Sequence, residues 1–550
     1  MNQRQRRWHV ALMVVVLALA LLPWQAQAFQ FDTGGSDLRV RWDNTFKYSA
    51  AYRLNDRSPT LIGDVNYDDG DRNFDKGLVS NRLDWLSEVE VSLPKGGIRI
   101  SGAAWYDQIY NETNDNDSPL TNNNISVPYN KFTKATRDQH GRDAELLDAF
   151  AYANFDLGDM GLTVRAGRFT QVYGETLFFG SNGIGEAQGP IDISRLIAVP
   201  GTQFKEVLRP VEQVSCDMQI SPKLSFGAYY QFRWHESRLP AAGSYLSNAE
   251  IIGPGTETWI TGFGPMTHQE DLEPDDSGQG GFRLRYTVES VGIDLGLYAA
   301  RYHAKTPSGA YIDPFPASPP PGFPPGTLTY RWVYAQDIET YGVSATGSLG
   351  QLNWATEFSY RHNAPLNSDP QYSAALAGGN EDDNRLYAVG DTGHANLSGI
   401  YVLQASPLWD GGAIVAELAY NTRLKITDNE SALAQNTTRD AWALRMIFEP
   451  TYFQVLTGLD LSVPMGIGWN FAGRSSAIAN FNGGSSAAGD LSIGLKGVYH
   501  TVWNAGLNYV RYFGAKETFT VPHNDPAPHL SFDQSLGDRD FISFYISRAF

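Results

Sequence analysis

From Leu38 the chain alternates. Leu38, Val40, Trp42, Asn44, Phe46, Tyr48, Ala50 and Tyr52 form one series, and Arg39, Arg41, Asp43, Thr45, Lys47, Ser49, Ala51 and Arg53 the other. Seven of eight are apolar in the first series and seven of eight are polar in the second. A strand sends successive side chains to opposite faces, so the run predicts a strand with one greasy side and one wet side. The pattern returns at 79–93, 224–234 and 414–426, and more weakly at further places between 98 and 513. Sixteen alternating residues is long for a soluble strand, where about five or six is usual.

The links between these runs alternate as well. Tight, turn-rich links such as Pro94-Lys95-Gly96-Gly97, Ser221-Pro222-Lys223 and Glu289-Ser290 separate strands on one side. Long polar segments separate them on the other: 54–78, 111–143, 174–209, 236–279, 304–337, 363–393, 427–438, 464–488 and 515–538. Short turns at one end and long loops at the other predict an all-β transmembrane antiparallel barrel, with turns periplasmic and loops outside. The count is about 18 strands, or 16 if the run-together stretch 440–463 is not a pair. A soluble β-sandwich would have shorter strands buried against a second sheet. The apolar series are instead aromatic, with Trp42, Trp85, Trp234, Trp354, Trp442 and Trp503, as in the girdles at a lipid–water boundary. The chain ends on Ile542, Phe544, Ile546 and Phe550, an alternation resembling the C-terminal signal read by the barrel-assembly machinery, with Arg548 as a departure.

The N-terminus changes the picture by adding an address. Arg4, Arg6 and Arg7 precede an apolar run over 10–22, and Ala26-Gln27-Ala28 offers small residues for cleavage. The run is too short for a bilayer core that needs roughly 20 helical residues. Residues 1–28 are therefore expected to be a signal peptide, and 29–550 a single barrel domain. Loss of the three arginines would move the net charge from −18 to −21. Cys216 is the one cysteine, so no internal disulfide can form; it alternates with Val214, Met218 and Ile220 and reads as a small hydrophobe.

Several stretches share a signature. They are Val164-Arg165-Ala166-Gly167-Arg168, Tyr173-Gly174-Glu175, Gly189-Pro190-Ile191-Asp192-Ile193-Ser194-Arg195, Pro200-Gly201 and Lys205-Glu206. With Phe31-Asp32-Thr33-Gly34, Val40-Arg41-Trp42-Asp43-Asn44-Thr45, Leu459-Asp460-Leu461-Ser462-Val463-Pro464 and the strand end at Tyr509 to Gly514, the chain resembles a proteobacterial outer-membrane family known as a domain of unknown function. The resemblance spans nearly the whole chain. It implies a porin-like barrel in the cell outer membrane, with no assigned substrate. Members are often encoded beside export or hydrophobic-compound pathways, which suggests apolar cargo.

The loop 174–209 mixes glycine, apolar residues and sparse opposite charges, whereas the other long loops read as solvated. Loops of this kind fold into the lumen and narrow it. Arg165, Arg168, Glu175, Asp192, Arg195, Lys205, Glu206 and Arg209 are then the candidate constriction, or the ion pairs that anchor the loop to the wall. Arg41, Lys47, Arg82, Glu88, Arg233 and Glu417 are expected to face the lumen, and Val40, Tyr48, Leu83, Phe232 and Leu418 to face lipid. On that register Leu418→Arg should be costly and Asn421→Arg tolerated. Acidic clusters at 64–75, 115–117, 270–276 and 381–383 read as solvated surface, with no spaced calcium loop. The proline-rich 314–326 reads as a stiff surface loop. No nucleophile motif or metal-ligand spacing stands out, so no enzyme, cofactor or metal is expected. The composite expectation is a passive channel for small solutes. The alternative is a plugged barrel that scaffolds an envelope transport or export system. Lipid, lipopolysaccharide, the assembly machinery and a periplasmic transport component are the expected partners; nucleic acid is not.

Overall fold

A computed structural model describes residues 29–31, 37–315, 318, 326–521 and 528–550. The expected signal peptide and most of 314–326 lie outside these residues. The barrel strands are β1 (Arg39–Arg53), β2 (Gly77–Leu93), β3 (Gly96–Asp107), β4 (Arg142–Leu157), β5 (Met160–Phe169) and β6 (Val211–Ser221). They continue as β7 (Leu224–Gln231), β8 (Gln279–Val288), β9 (Ile293–Tyr302), β10 (Ile338–Leu349), β11 (Leu352–Pro365) and β12 (Val389–Leu403). The last six are β13 (Gly411–Asp428), β14 (Asp440–Leu456), β15 (Leu459–Ser462 and Met465–Gly473), β16 (Ala488–Tyr499), β17 (Trp503–Phe513) and β18 (Phe541–Ala549). Each pairs antiparallel with its successor, and β1 pairs with β18 from Thr45 opposite Ala549 to Arg53 opposite Phe541. The sheet therefore closes, and no barrel strand is left with an open edge.

Directly opposed residues share a face. Tyr48, Leu83 and Tyr106 form one outward row, and Leu397, Leu418 and Leu444 another. Phe46, Trp85, Ile98, Phe282, Leu297, Val343, Phe358, Leu491 and Leu507 are exposed around the whole circumference. The inner face carries Ser49, Arg53, Glu357, Glu417 and Asn421, all buried. Among the described residues no helix is long and apolar enough to cross a membrane. The fold is a transmembrane antiparallel barrel of 18 strands, apolar outside and polar within. Cys216 lies half-buried on the outward side, opposite Val164 and Ala228.

Two expectations are corrected at this level. Residues 464–488 are not one long loop, because β15 resumes at Met465 and runs to Gly473. Pro464 lacks the N–H that would continue the ladder, which divides the strand and masks its pattern. The long loops other than 174–209 are also not merely solvated. Thr258–Thr261, Gly264–His268, Gly309–Asp313, Leu328–Val333 and Gln371–Tyr372 form a five-stranded sheet of their own. Tyr67, Ile251, Trp259, Met266, Ile312 and Tyr330 pack into one core with it. Trp234, read as a girdle residue, belongs to this layer: it is buried, and its indole N–H donates to the Ala304 carbonyl at 3.0 Å.

The acidic stretch 64–75 is drawn into the same layer, with Asp64, Asp68, Asp69 and Asp71 buried. Arg53 donates to Asp71 at 2.6 Å and to the Phe74 carbonyl at 2.9 Å, and stands 3.3 Å from Asp538. Arg539 stands 3.4 Å from Asp71 and donates to the Tyr245 carbonyl at 2.9 Å. Two arginines thus tie the first, fourth and last long loops together above the β1–β18 closure.

Burial, reinforced by the charge of Asp69, pushes the Asp68 carboxyl pKa up to about 8. Burial pushes Asp69 up to about 6 and Glu250 well above the usual carboxylate range. A carboxyl raised in the fold contributes stability below its unfolded pKa and loses it as pH rises through the folded value. The loop layer should therefore unfold at lower urea concentration at pH 8 than at pH 5, read by the fluorescence of buried tryptophans such as Trp259. Asp68→Asn with Glu250→Gln should shrink that difference. Equal midpoints at the two pH values would contradict the assignment.

Candidate functional site

Between β5 and β6 the chain leaves the wall. Asp192 caps the helix Ile193–Ala198 by accepting the Arg195 backbone N–H at 2.7 Å, and a second turn follows at Phe204–Val207. The first half of this segment is held by wall carboxylates. One oxygen of Glu417 on β13 accepts the backbone N–H groups of Leu177 (3.0 Å), Phe178 (2.5 Å) and Phe179 (3.1 Å). Its other oxygen accepts Asn396 Nδ2 at 2.8 Å. Glu357 on β11 accepts Glu175 N at 2.7 Å and Ile184 N at 2.5 Å. Arg361 returns the charge by donating to the carbonyls of Ser181 and Gly183 at 2.8 and 2.9 Å.

Glycine makes this approach possible. A Cβ at Gly183 would sit 2.6 Å from Glu357 Oε1, and one at Gly174 would sit 2.6 Å from Glu357 Oε2, where the backbone also has φ +95. Asn182, fully buried, donates to Asn396 Oδ1 at 2.9 Å and accepts Asn421 Nδ2 at 3.1 Å.

The second half touches the other side of the ring. Lys205 lies 2.6 Å from Glu88 on β2, and Glu206 lies 3.5 Å from Lys47 on β1. β11 and β2 stand nine strands apart in an 18-strand ring, so one segment contacts diametrically opposite walls. Asp192 and Arg195 join a network in which Arg238 lies 2.8 Å from both Asp192 and Glu145, and Arg195 lies 3.7 Å from Glu145 and 3.9 Å from Glu206. The guanidinium groups of Arg82, Arg195 and Arg238 all stand over the Trp105 ring, at 5.3, 5.0 and 6.0 Å.

The remaining expected residues divide. Glu175 lies 3.3 Å from Arg285, and Arg209 donates to the Glu236 carbonyl at 2.5 Å. Arg82 is buried on the inner face, 2.8 Å from Asp84, and the exposed Arg41 pairs with Asp43 at 2.7 Å. Arg165 points inward into a cavity of about 200 Å³. Two positions are corrected. Arg168 opposes Ala149 and Glu212 on the outward side, because it lies three positions after inward Arg165 and strand parity reverses over an odd step. Arg233 is exposed, two residues beyond the end of β7 at Gln231, where the ladder no longer sets its facing.

The strongest anchors, Glu357, Arg361, Asn182 and Asn396, were not singled out from sequence. The signal that could have found them is a charged residue at mid-strand on an inner face, as at Glu417, opposite a glycine-rich loop. Among the described residues no group of three or more histidine, cysteine or acidic side chains is placed to hold a metal ion.

The model of the family described as protein of unknown function DUF1302 matches residues 9–550. The chain belongs to that family. No curated protein matches the DUF1302 chain significantly. Solved structures that resemble it include OccAB2 of Acinetobacter baumannii, with 9% identity over 93% of this chain and 98% of that one and a TM-score of 0.42. OccAB1 of the same organism has 11% identity over 96% and 99%, also at 0.42. A BenF-like porin from Pseudomonas fluorescens has 9% identity over 94% and 98%, at 0.41.

The geometry revises one mutational expectation for this DUF1302 barrel. Leu418 lies in an outward leucine row, so Leu418→Arg should still destabilise by about 2–4 kcal/mol near mid-membrane. Asn421 is not an open lumen position: it is fully buried between Asn182 and Ser475. Asn421→Arg should therefore also destabilise, by crowding the loop anchor. Urea midpoints of both variants in lipid vesicles check this; a wild-type midpoint for Asn421→Arg would contradict it.

Proposed function

We propose that the protein is an outer-membrane channel for the passive passage of small solutes, narrowed by the segment between β5 and β6. On this reading residues 1–28 are a signal peptide cleaved on export. The exposed belt faces lipid and lipopolysaccharide, and the C-terminal strand is read by the assembly machinery. No catalytic step is assigned. The observation that carries the proposal is the single segment fastened to opposite walls, with charged side chains at its anchors. Such a strut sets a pore's width and its charge together.

A second reading rests on the packed loop layer, whose five-stranded sheet covers loops that would otherwise be open. A barrel plugged in this way would serve as a scaffold for an envelope transport or export system. Purified protein in a planar bilayer separates the two. The channel reading expects discrete conductance steps in potassium chloride. Stable insertion without conductance would favour the scaffold.

A further inference from the structure

The charges around the cavity beside Arg165 are almost all committed. Arg99 lies 2.5 Å from Glu88 and 3.6 Å from Asp148, and Lys205 lies 2.6 Å from Glu88. Asp148 also accepts the Ser101 hydroxyl at 3.1 Å, and Glu206 turns to Lys47 and Arg195. Arg165 lines the same cavity, half-buried, and its side chain makes no ion pair or hydrogen bond among the described residues. The rest of the lining is mainly apolar, with Leu86, Leu147, Phe150, Phe169, Leu208 and Pro210. The cavity volume is about 200 Å³.

We infer that this cavity is a binding subsite for small organic monoanions with an apolar body, a carboxylate on a ring or short chain. As a station on a passage it rests on the channel reading; as a binding site it does not. A guanidinium offers a planar fork of donors that matches a carboxylate, and here no protein acid occupies it. One uncommitted cation balances one negative charge, which favours a monocarboxylate over a phosphate monoester carrying nearly two. The apolar wall takes the body of the ligand and gains from burying it.

Benzoate and its neutral analogue benzamide probe the assignment, with binding to detergent-solubilised protein read by saturation-transfer NMR. Wild type should bind benzoate more tightly than benzamide. Arg165→Gln should weaken benzoate about tenfold or more and benzamide far less, because only benzoate loses an ion pair as well as a hydrogen bond. Arg165→Lys should keep much of the preference. No benzoate binding by wild type, or equal loss of both ligands in Arg165→Gln, would overturn the subsite. A bilayer measurement in parallel keeps the two readings apart. Arg165-dependent benzoate binding by a protein that does not conduct would uphold the subsite and remove the channel. Conductance with benzoate affinity indifferent to Arg165 would do the reverse.

Discussion

Glu417→Ala should free the first half of the inward segment. Three backbone N–H groups lose their shared acceptor at once, and Asn396 loses a partner as well. Hydrogen bonds to a charged group contribute about 1.5–3 kcal/mol each, and three that share one oxygen do not add fully, so the expected loss is about 3 kcal/mol. Glu417→Gln keeps an acceptor oxygen without the charge and should fall between. The double variant with Glu357→Ala should lose more than either single change, since the remaining carboxylate otherwise holds the loop in place. Two readouts follow. Chymotrypsin should cut at Phe178 and Phe179 in the variants and spare them in wild type, and bilayer conductance should rise. A segment that stays protease-resistant in the double variant would show that these carboxylates do not anchor it.

Arg53→Met should be the most damaging change in the loop layer. Arg53 is fully buried, as are Asp71 and Asp538, so its removal leaves two carboxylates sharing a site with Arg539 alone. Breaking a buried charge pair by deleting one partner costs about 3–5 kcal/mol. The barrel wall below should survive, because its ladders do not depend on Arg53's head group. Hydrogen exchange should therefore show faster opening in residues 54–76 and 514–540 with β7 to β12 still protected. Uniform loosening of the barrel, or no change in either loop, would contradict a knot that acts locally at the β1–β18 closure.

The barrel was legible because lipid and lumen impose opposite polarity on alternate residues over long strands, as at Leu38 to Arg53. Where a strand is interrupted, as at Pro464, the same rule lost the thread. The loop layer was invisible for a related reason. Its strands are two to six residues long, and at that length alternation cannot be told from chance in segments rich in Asp, Pro and Gly. The inward segment stood out through its glycine content, and among the charges read as its anchors Lys205 and Glu206 do fasten its second half to Glu88 and Lys47. The first half is held differently: the wall carboxylates Glu357 and Glu417 accept the loop's backbone N–H groups, and a backbone N–H has no sequence signature. Arg165 and Arg168 show the cost of ignoring parity: three residues apart, they point to opposite sides of one strand.

The central claim is that one segment, fastened across the lumen, limits passage. Its most direct test is single-channel conductance of wild type beside a variant lacking residues 180–200, both inserted as full barrels in the same bilayer. The expected result is small, defined steps for wild type and markedly larger ones for the deletion. Silence from both, or identical steps from both, would contradict it.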